Sequence, residues 1–170
     1  MKKWTTAAVL SCAVALGACT DADRFGTDSS YGSGTNSGSE GLGSSADPSS
    51  IAYFQEAVGD RVLFAVDQST LSEEGRLVVL AQANWLLANT DYIAVIEGHA
   101  DEQGTREYNL ALGARRASAV QELLIAQGVA GNRIRTVSFG KERPLEVCSE
   151  ESCYAENRRA VTVLTANVTG

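Results

Sequence analysis

The chain carries a single histidine, His99, and that scarcity removes much of the catalytic repertoire. A structural zinc needs about four soft ligands. His99 has only Asp101 and Glu102 nearby, and their side chains diverge. A general base needs a partner nucleophile or an activated water, and the sequence has no nucleophile elbow, phosphate-cradling loop or paired-histidine motif. No metal, no cofactor and no enzymatic activity are therefore expected, and His99 reads as a turn residue hydrogen-bonding backbone groups. Positive charge is also short: 14 Lys and Arg stand against 21 Asp and Glu, a net charge of −7 with no basic run. That excludes a nucleic-acid partner, which demands a positive footprint. The acidic excess keeps an exported domain soluble. There is no internal repeat, and no membrane-spanning run beyond the first residues.

Cysteines are few, and their positions divide by compartment. Met1-Lys2-Lys3 and the apolar stretch Trp4 to Leu16 have the basic start and short apolar region of a secretory signal, too short to span a bilayer stably. The signal, residues 1–18, ends in Leu16-Gly17-Ala18-Cys19, which resembles the lipobox of bacterial lipoproteins, although Gly17 is a less usual occupant of its position. Cys19 is then the acylated anchor, and several acyl chains give stable attachment. The alternative is an ordinary signal peptide with a chance cysteine. Thr20 rather than Asp after the cysteine favours the outer membrane, by analogy with lipoprotein sorting. Cys12 leaves with the signal, so Cys148 and Cys153 remain as a pair in an oxidising compartment and are expected to form a disulfide. The loop carrying them lies outside the main motif.

Residues 19–50 are Gly, Ser, Asp and Thr with scarcely an aliphatic side chain. Such a segment buries no core, and its composition predicts a flexible tether with a reach on the order of 30 Å. Apolar residues return at Ile51, and residues 51–170 are expected to form one folded domain. Arg61 to Val66 reads as a strand. Ser72 caps a helix to about Asn89, with Leu77, Leu80, Ala81, Trp85 and Ala88 inward. Tyr92 to Glu97 is a strand buried on both faces. A second helix runs from about Arg106 to Gln127, with Leu110, Ala114, Ala117, Val120, Leu123 and Leu124 inward and Gly128 as its stop. Ile134 to Phe139 and Ala160 to Leu164 make two more strands, separated by a long polar loop. The class is α/β, with helices covering one or both faces of a sheet.

Gly98-His99-Ala100-Asp101-Glu102-Gln103-Gly104-Thr105 is a glycine-bounded polar turn between a strand and a helix, a placement that holds charged groups still and offers free N–H groups. This block, with Phe64 to Asp67, Tyr108-Asn109, Arg115-Arg116-Ala117, Ser138 to Pro144 and Asn157-Arg158-Arg159, resembles the OmpA-like peptidoglycan-binding domain and, within it, the lipoproteins of the Tol-Pal system. The resemblance runs from about Arg61 to Leu164. Several spaced motifs in order are far more specific than any one alone.

The resemblance implies a two-layer sandwich of about two helices on a mixed four-stranded sheet. It implies an outer-membrane lipoprotein that binds peptidoglycan non-covalently, ties envelope to wall, and has the Tol proteins, TolB first, as partners. Alternatives are an OmpA-like lipoprotein of another envelope machine, or a peptidoglycan hydrolase. By the same resemblance Asp101 and Arg116 hold the diaminopimelate side chain of the stem peptide, whose ammonium and carboxylate suit one anion and one cation. From the residues alone the two read equally as a solvated turn and helix face, or as an internal salt bridge. Asp67 matches a further position lining that site. Leu112 matches one that contacts the peptide, while periodicity alone makes it core. Thr105 has two readings, helix cap or donor to a ligand carboxylate. Gln103 stands where many relatives carry Arg, and Arg158 and Arg159 match a basic pair of structural character. If the helix starts at Thr105, Arg116 lies about 16 Å along its axis, so a shared ligand requires the turn to fold back along the helix.

Overall fold

The apolar run beginning at Tyr92 becomes the strand around which the domain is built. A computed structural model of the chain describes residues 43–166; the expected signal sequence, Cys19 and the first part of the tether lie outside that range. The elements are α1 (Ile51–Tyr53, continued by a π-helical turn Phe54–Gly59), β1 (Arg61–Leu63), α2 (Glu73–Ala88), β2 (Tyr92–His99), α3 (Arg106–Ala126), β3 (Ile134–Gly140), α4 (Glu151–Asn157) and β4 (Arg159–Ala166). The sheet order is β1-β4-β2-β3. β4 is antiparallel to both β1 and β2, whereas β2 and β3 are parallel and joined through α3, as a parallel pair requires. The mixed four-stranded α/β sandwich is as expected.

Both long helices start where a side-chain oxygen is available to their free N–H groups. Ser72 accepts from the N–H of Gly75 and Thr105 from that of Tyr108. Gly128, at φ +99°, follows α3, where the left-handed conformation favours glycine. The helices cover one face of the sheet only. Phe54, Val79, Leu86, Val120 and Leu124 pack on Val62, Ala94, Ile96, Ala160 and Leu164, each large side chain contributing about 1.5–3 kcal/mol on burial. The opposite face keeps Ile93 and Val95 half-buried and Val137 and Val163 exposed. β2 is therefore not buried on both faces: its β-branched residues suit a pleated strand whether or not a layer covers them.

The inward helix faces also differ from expectation. Leu77, Ala81, Ala88, Leu110 and Ala114 are exposed. Polar residues share the buried stripes with the apolar ones. Gln82 in α2 donates to the carbonyl of Gly59 (2.7 Å) and accepts from the Thr162 hydroxyl (2.8 Å), and α3 buries Asn109 and Arg116. Hydrophobic spacing alone cannot find positions whose partners are remote carbonyls. β1 ends after three residues because the chain turns at Ala65–Gln68, with Asp67 at φ 57°. The long polar loop contains α4, and Cys148 and Cys153 in it are joined by a disulfide.

Residues 44–50, assigned by composition to the tether, are bonded to the domain. Trp85 Nε1 donates to the carbonyl of Pro48 (2.8 Å), the Tyr92 hydroxyl to that of Ser49 (3.0 Å), and buried Ser50 caps α1. Backbone carbonyls make these contacts, so an apolar count misses them.

Candidate functional site

The turn at Ala65–Gln68, the loop after β2 and the first half of α3 enclose a cavity of about 300 Å³. Asp67, Asp101, Gln103, Tyr108, Asn109 and Leu112 are on its wall. A larger groove of about 650 Å³ opens further along α3 beside Arg76, Arg115 and Glu122, but none of the expected site residues lines it. The smaller cavity brings together Asp67, Asp101 and Leu112 from three separate segments. Leu112, 4% exposed, is core and cavity wall at once. Thr105 is the α3 cap and stands off the wall. The Tyr108 hydroxyl donates to Asp67 Oδ1, and Asn109 Nδ2 donates to the carbonyl of Gln103 (2.7 Å), so one turn of α3 fixes both loops.

Arg116 does not line the cavity. It is fully buried behind the wall with its fork turned to main-chain oxygens: Nε donates to Gln68 (2.8 Å), Nη1 to His99 (2.8 Å) and Nη2 to Ala65 (3.3 Å). The Phe64 ring lies 5.3 Å from its guanidinium carbon. The distance of Arg116 from the start of α3 is met by the β1–α2 turn coming up beside the helix, rather than by the Asp101 loop folding down it. Burial lowers the Arg116 pKa to about 10, with nearby Asp101 acting in the opposite sense, so the group is cationic at neutral pH.

Asp101, 8% exposed, accepts the N–H of Gln103 at Oδ1 (3.2 Å) and Nη1 of Arg158 at Oδ2 (3.2 Å). Arg158 is buried too, and it also donates to the carbonyl of Phe64 (3.2 Å) and to Glu151 Oε1 (2.5 Å). Burial acts against its charge, but the bonds to Glu151 and Asp101 outweigh that, and its pKa is raised.

The profile of the OmpA family matches residues 63–158 of this chain. The chain is 52% identical over 125 residues to a peptidoglycan-associated lipoprotein of Rhizobium meliloti, covering 73% of this chain and 71% of that one. The chain belongs to the OmpA family, among its peptidoglycan-associated lipoproteins. The relative of that name from Pseudomonas aeruginosa is 40% identical, over 79% of this chain and 76% of its own. The crystal structure of the peptidoglycan-associated lipoprotein from Burkholderia pseudomallei superposes with a TM-score of 0.65 at 33% identity, over 70% of this chain and all of that one. The C-terminal domain of Helicobacter pylori MotB, at 19% identity and a TM-score of 0.60 over 64% of this chain and 86% of its own, shares the fold.

Within this OmpA-family domain two further wall residues, Tyr108 and Asn109, fasten the loops around the cavity although the sequence marked them only as a motif. No helical spacing marked Asn109, which lies one position off the expected stripe that begins at Leu110.

His99 is not a hydrogen-bonded turn residue. It ends β2, 2% exposed, stacked on Phe139 with ring centroids 5.5 Å apart, and neither ring nitrogen has a hydrogen-bond partner among the described residues. Burial, then the charges of Arg159 and Arg143, lower its pKa to about 4. The unfolded imidazole takes up its proton near 6.5 and the folded one only near 4, so over that interval the unfolded state binds the extra proton and stability falls as pH drops. His99 is expected to account for a loss of about 2 kcal/mol between pH 7 and 4.5. Urea midpoints at the two pH values check this: His99→Phe should show a smaller pH dependence, and an unchanged one would show that His99 is not its source.

Proposed function

We propose that the cavity binds the diaminopimelate side chain of the peptidoglycan stem peptide, and that the chain is an outer-membrane lipoprotein, anchored through Cys19, that joins membrane to wall as part of the Tol-Pal system. One observation carries this reading: two carboxylates, Asp67 and Asp101, share the wall of a small cavity with a cationic guanidinium directly behind it. A side chain ending in an ammonium and a carboxylate has the complementary charges. Asp101 keeps unclaimed lone pairs for the ammonium, since each of its oxygens accepts one named bond. Arg116 has five N–H groups and gives three to main chain, leaving one on each terminal nitrogen for the carboxylate. As the chain stands, the guanidinium is sealed beneath the Asp67 turn, so direct contact requires that turn to shift. Leu112 and Val66 line the same cavity and supply apolar surface for the ligand's methylenes. The names and identities of the relatives support a wall-binding role.

Asp101→Asn keeps the shape and the acceptor for Gln103 N–H while removing the charge. It is expected to weaken binding of a diaminopimelate-containing stem tripeptide by roughly ten- to a hundredfold, the effect of about 1.5–3 kcal/mol for a charged hydrogen bond. A tripeptide with lysine instead should bind the natural protein more weakly, because it leaves Arg116 without a carboxylate. Calorimetric titration and co-sedimentation with purified sacculi make the measurement. Equal affinity of variant and natural protein, or of the two peptides, would place the site elsewhere.

A further inference from the structure

The loop between β3 and β4 is not separate from the cavity, as its place in the sequence suggests, but bonded to the cavity loop at four points. Lys141 Nζ donates to the carbonyls of Glu102 (3.3 Å) and Gly104 (2.7 Å), and Arg106 pairs with Glu142 (3.1 Å). Buried Asn157 donates to Glu102 Oε1 (2.8 Å) while its own oxygen accepts the N–H groups of Leu145 (2.7 Å) and Glu146 (3.1 Å). The fourth tie is a buried ion pair: Arg158 holds Asp101 on the cavity wall with one nitrogen and Glu151 with the other.

Glu151 opens α4, a helix of seven residues. Its N-cap, Glu150, makes no side-chain capping bond, unlike Ser72 and Thr105 at the long helices, and a helix so short is not stable by itself in water. What fastens its first turn is covalent. Cys153, two residues after Glu151, is bonded to Cys148 just upstream, and both cysteines are only half-buried and so within reach of a reductant.

We propose that the Cys148–Cys153 disulfide sets the charge of the cavity: intact, it holds Glu151 on Arg158 and leaves Asp101 able to meet a cationic ligand group, and reduced, it frees Glu151 and gives Arg158 to Asp101 alone. The ligand in this inference rests on the peptidoglycan reading, whereas the coupling does not. The reductant is a dithiol. One of its thiolates attacks a sulfur of the pair, breaking the S–S bond and forming a mixed disulfide, and its second thiolate then displaces the protein sulfur. Two electrons and two protons end on Cys148 and Cys153, and the dithiol leaves as its own disulfide. Glu151 and Arg158 are positioning residues here, acting on the ligand through Asp101.

The test uses the full chain in detergent. Reduction with dithiothreitol should weaken binding of the diaminopimelate tripeptide about three- to tenfold, the modest range expected because the Glu151 side chain is 65% exposed. Glu151→Gln in the oxidised protein should lose the same amount, and reducing that variant should add nothing, since both changes act on one contact. A purely structural role for the disulfide would instead give additive losses and overturn the proposal. A ligand-independent arm reads the amide of Gln103, which donates to Asp101 Oδ1: as Arg158 draws Asp101 to itself that bond weakens, so its hydrogen exchange should speed up several-fold on reduction and equally in oxidised Glu151→Gln. Unchanged exchange at Gln103 overturns the coupling whatever the peptide does. If the oxidised protein fails to bind the tripeptide, the peptidoglycan reading falls, and Gln103 exchange alone decides the coupling.

Discussion

Arg116→Met is expected to destabilise the domain by about 2 to 4 kcal/mol, because the buried guanidinium is the partner of three carbonyls, one of them, that of His99, buried with it. Two of them, Ala65 and Gln68, belong to the turn after β1, and the third, His99, to the end of β2. Methionine fills much of the volume but offers no donor, so the buried His99 carbonyl bears the cost of burial without a bond and the turn at Ala65–Gln68 loses its tie to α3. Against a usual domain stability of about 5–15 kcal/mol this is a large fraction. Arg116→Lys, which keeps the charge and reaches one carbonyl at a time, should fall between the two. Urea unfolding followed by circular dichroism measures it. A Met variant within about 1 kcal/mol of the natural protein would show that the turn holds without the staple. Any loss of ligand binding at Arg116 is therefore mixed with loss of structure, and Asp101→Asn, which gives up the oxygen that meets Arg158, is likewise read beside its melting temperature.

Alanine at Gly98 should be as damaging, by a different route. A Cβ there would stand 1.9 Å from the carbonyl oxygen of Gly113 and 3.2 Å from the Ala117 methyl. Gly113 is equally confined, since its Cβ would meet Ser138 Oγ at 2.5 Å and the Gly98 oxygen at 2.8 Å. Strand and helix touch backbone to backbone at this point, one turn before Arg116. The obstacle is main chain, so relief requires α3 to move off β2, which would strain the Arg116 bonds as well. The expected cost is at least about 3 kcal/mol, beyond the usual range for overpacking by a methyl, and a fall in melting temperature of more than about 10 °C. Gly131→Ala is the control: its nearest neighbour would be Ile125 Cδ1 at 3.7 Å, an ordinary contact, and it should change little. Similar melting temperatures for Gly98→Ala and Gly131→Ala would mean the approach of α3 to β2 is not rigid.

Features that depend on a few consecutive residues were legible in the chain. Ser72 and Thr105 cap helices because their oxygens reach N–H groups three residues on, and Gly128 follows α3 because its conformation is local. The pairing of Cys148 with Cys153 is local in the same sense. Inward faces were less legible. Leu110 and Ala114 satisfied helical spacing yet are exposed, while Asn109 and Arg116, one and two positions away, are buried. Both arrangements present apolar atoms at suitable intervals, and the choice between them was made by carbonyls more than forty residues distant in the case of Arg116. α4 escaped notice because Glu151 to Asn157 has no apolar rhythm and is held by a crosslink and by Arg158.

By itself the sequence determined the family and the order of the four strands and the two long helices, because each of these follows from local chemistry and motif order. Tertiary structure decided what the site residues are to one another. It put Asp67 beside Asp101, withdrew Arg116 behind the wall to hold three carbonyls, and divided Arg158 between the cavity and the disulfide loop. The physical reason is that a buried charge must find partners wherever the fold brings oxygen to it, and which oxygens arrive is settled only when the β1 turn, β2, α3 and α4 have packed together.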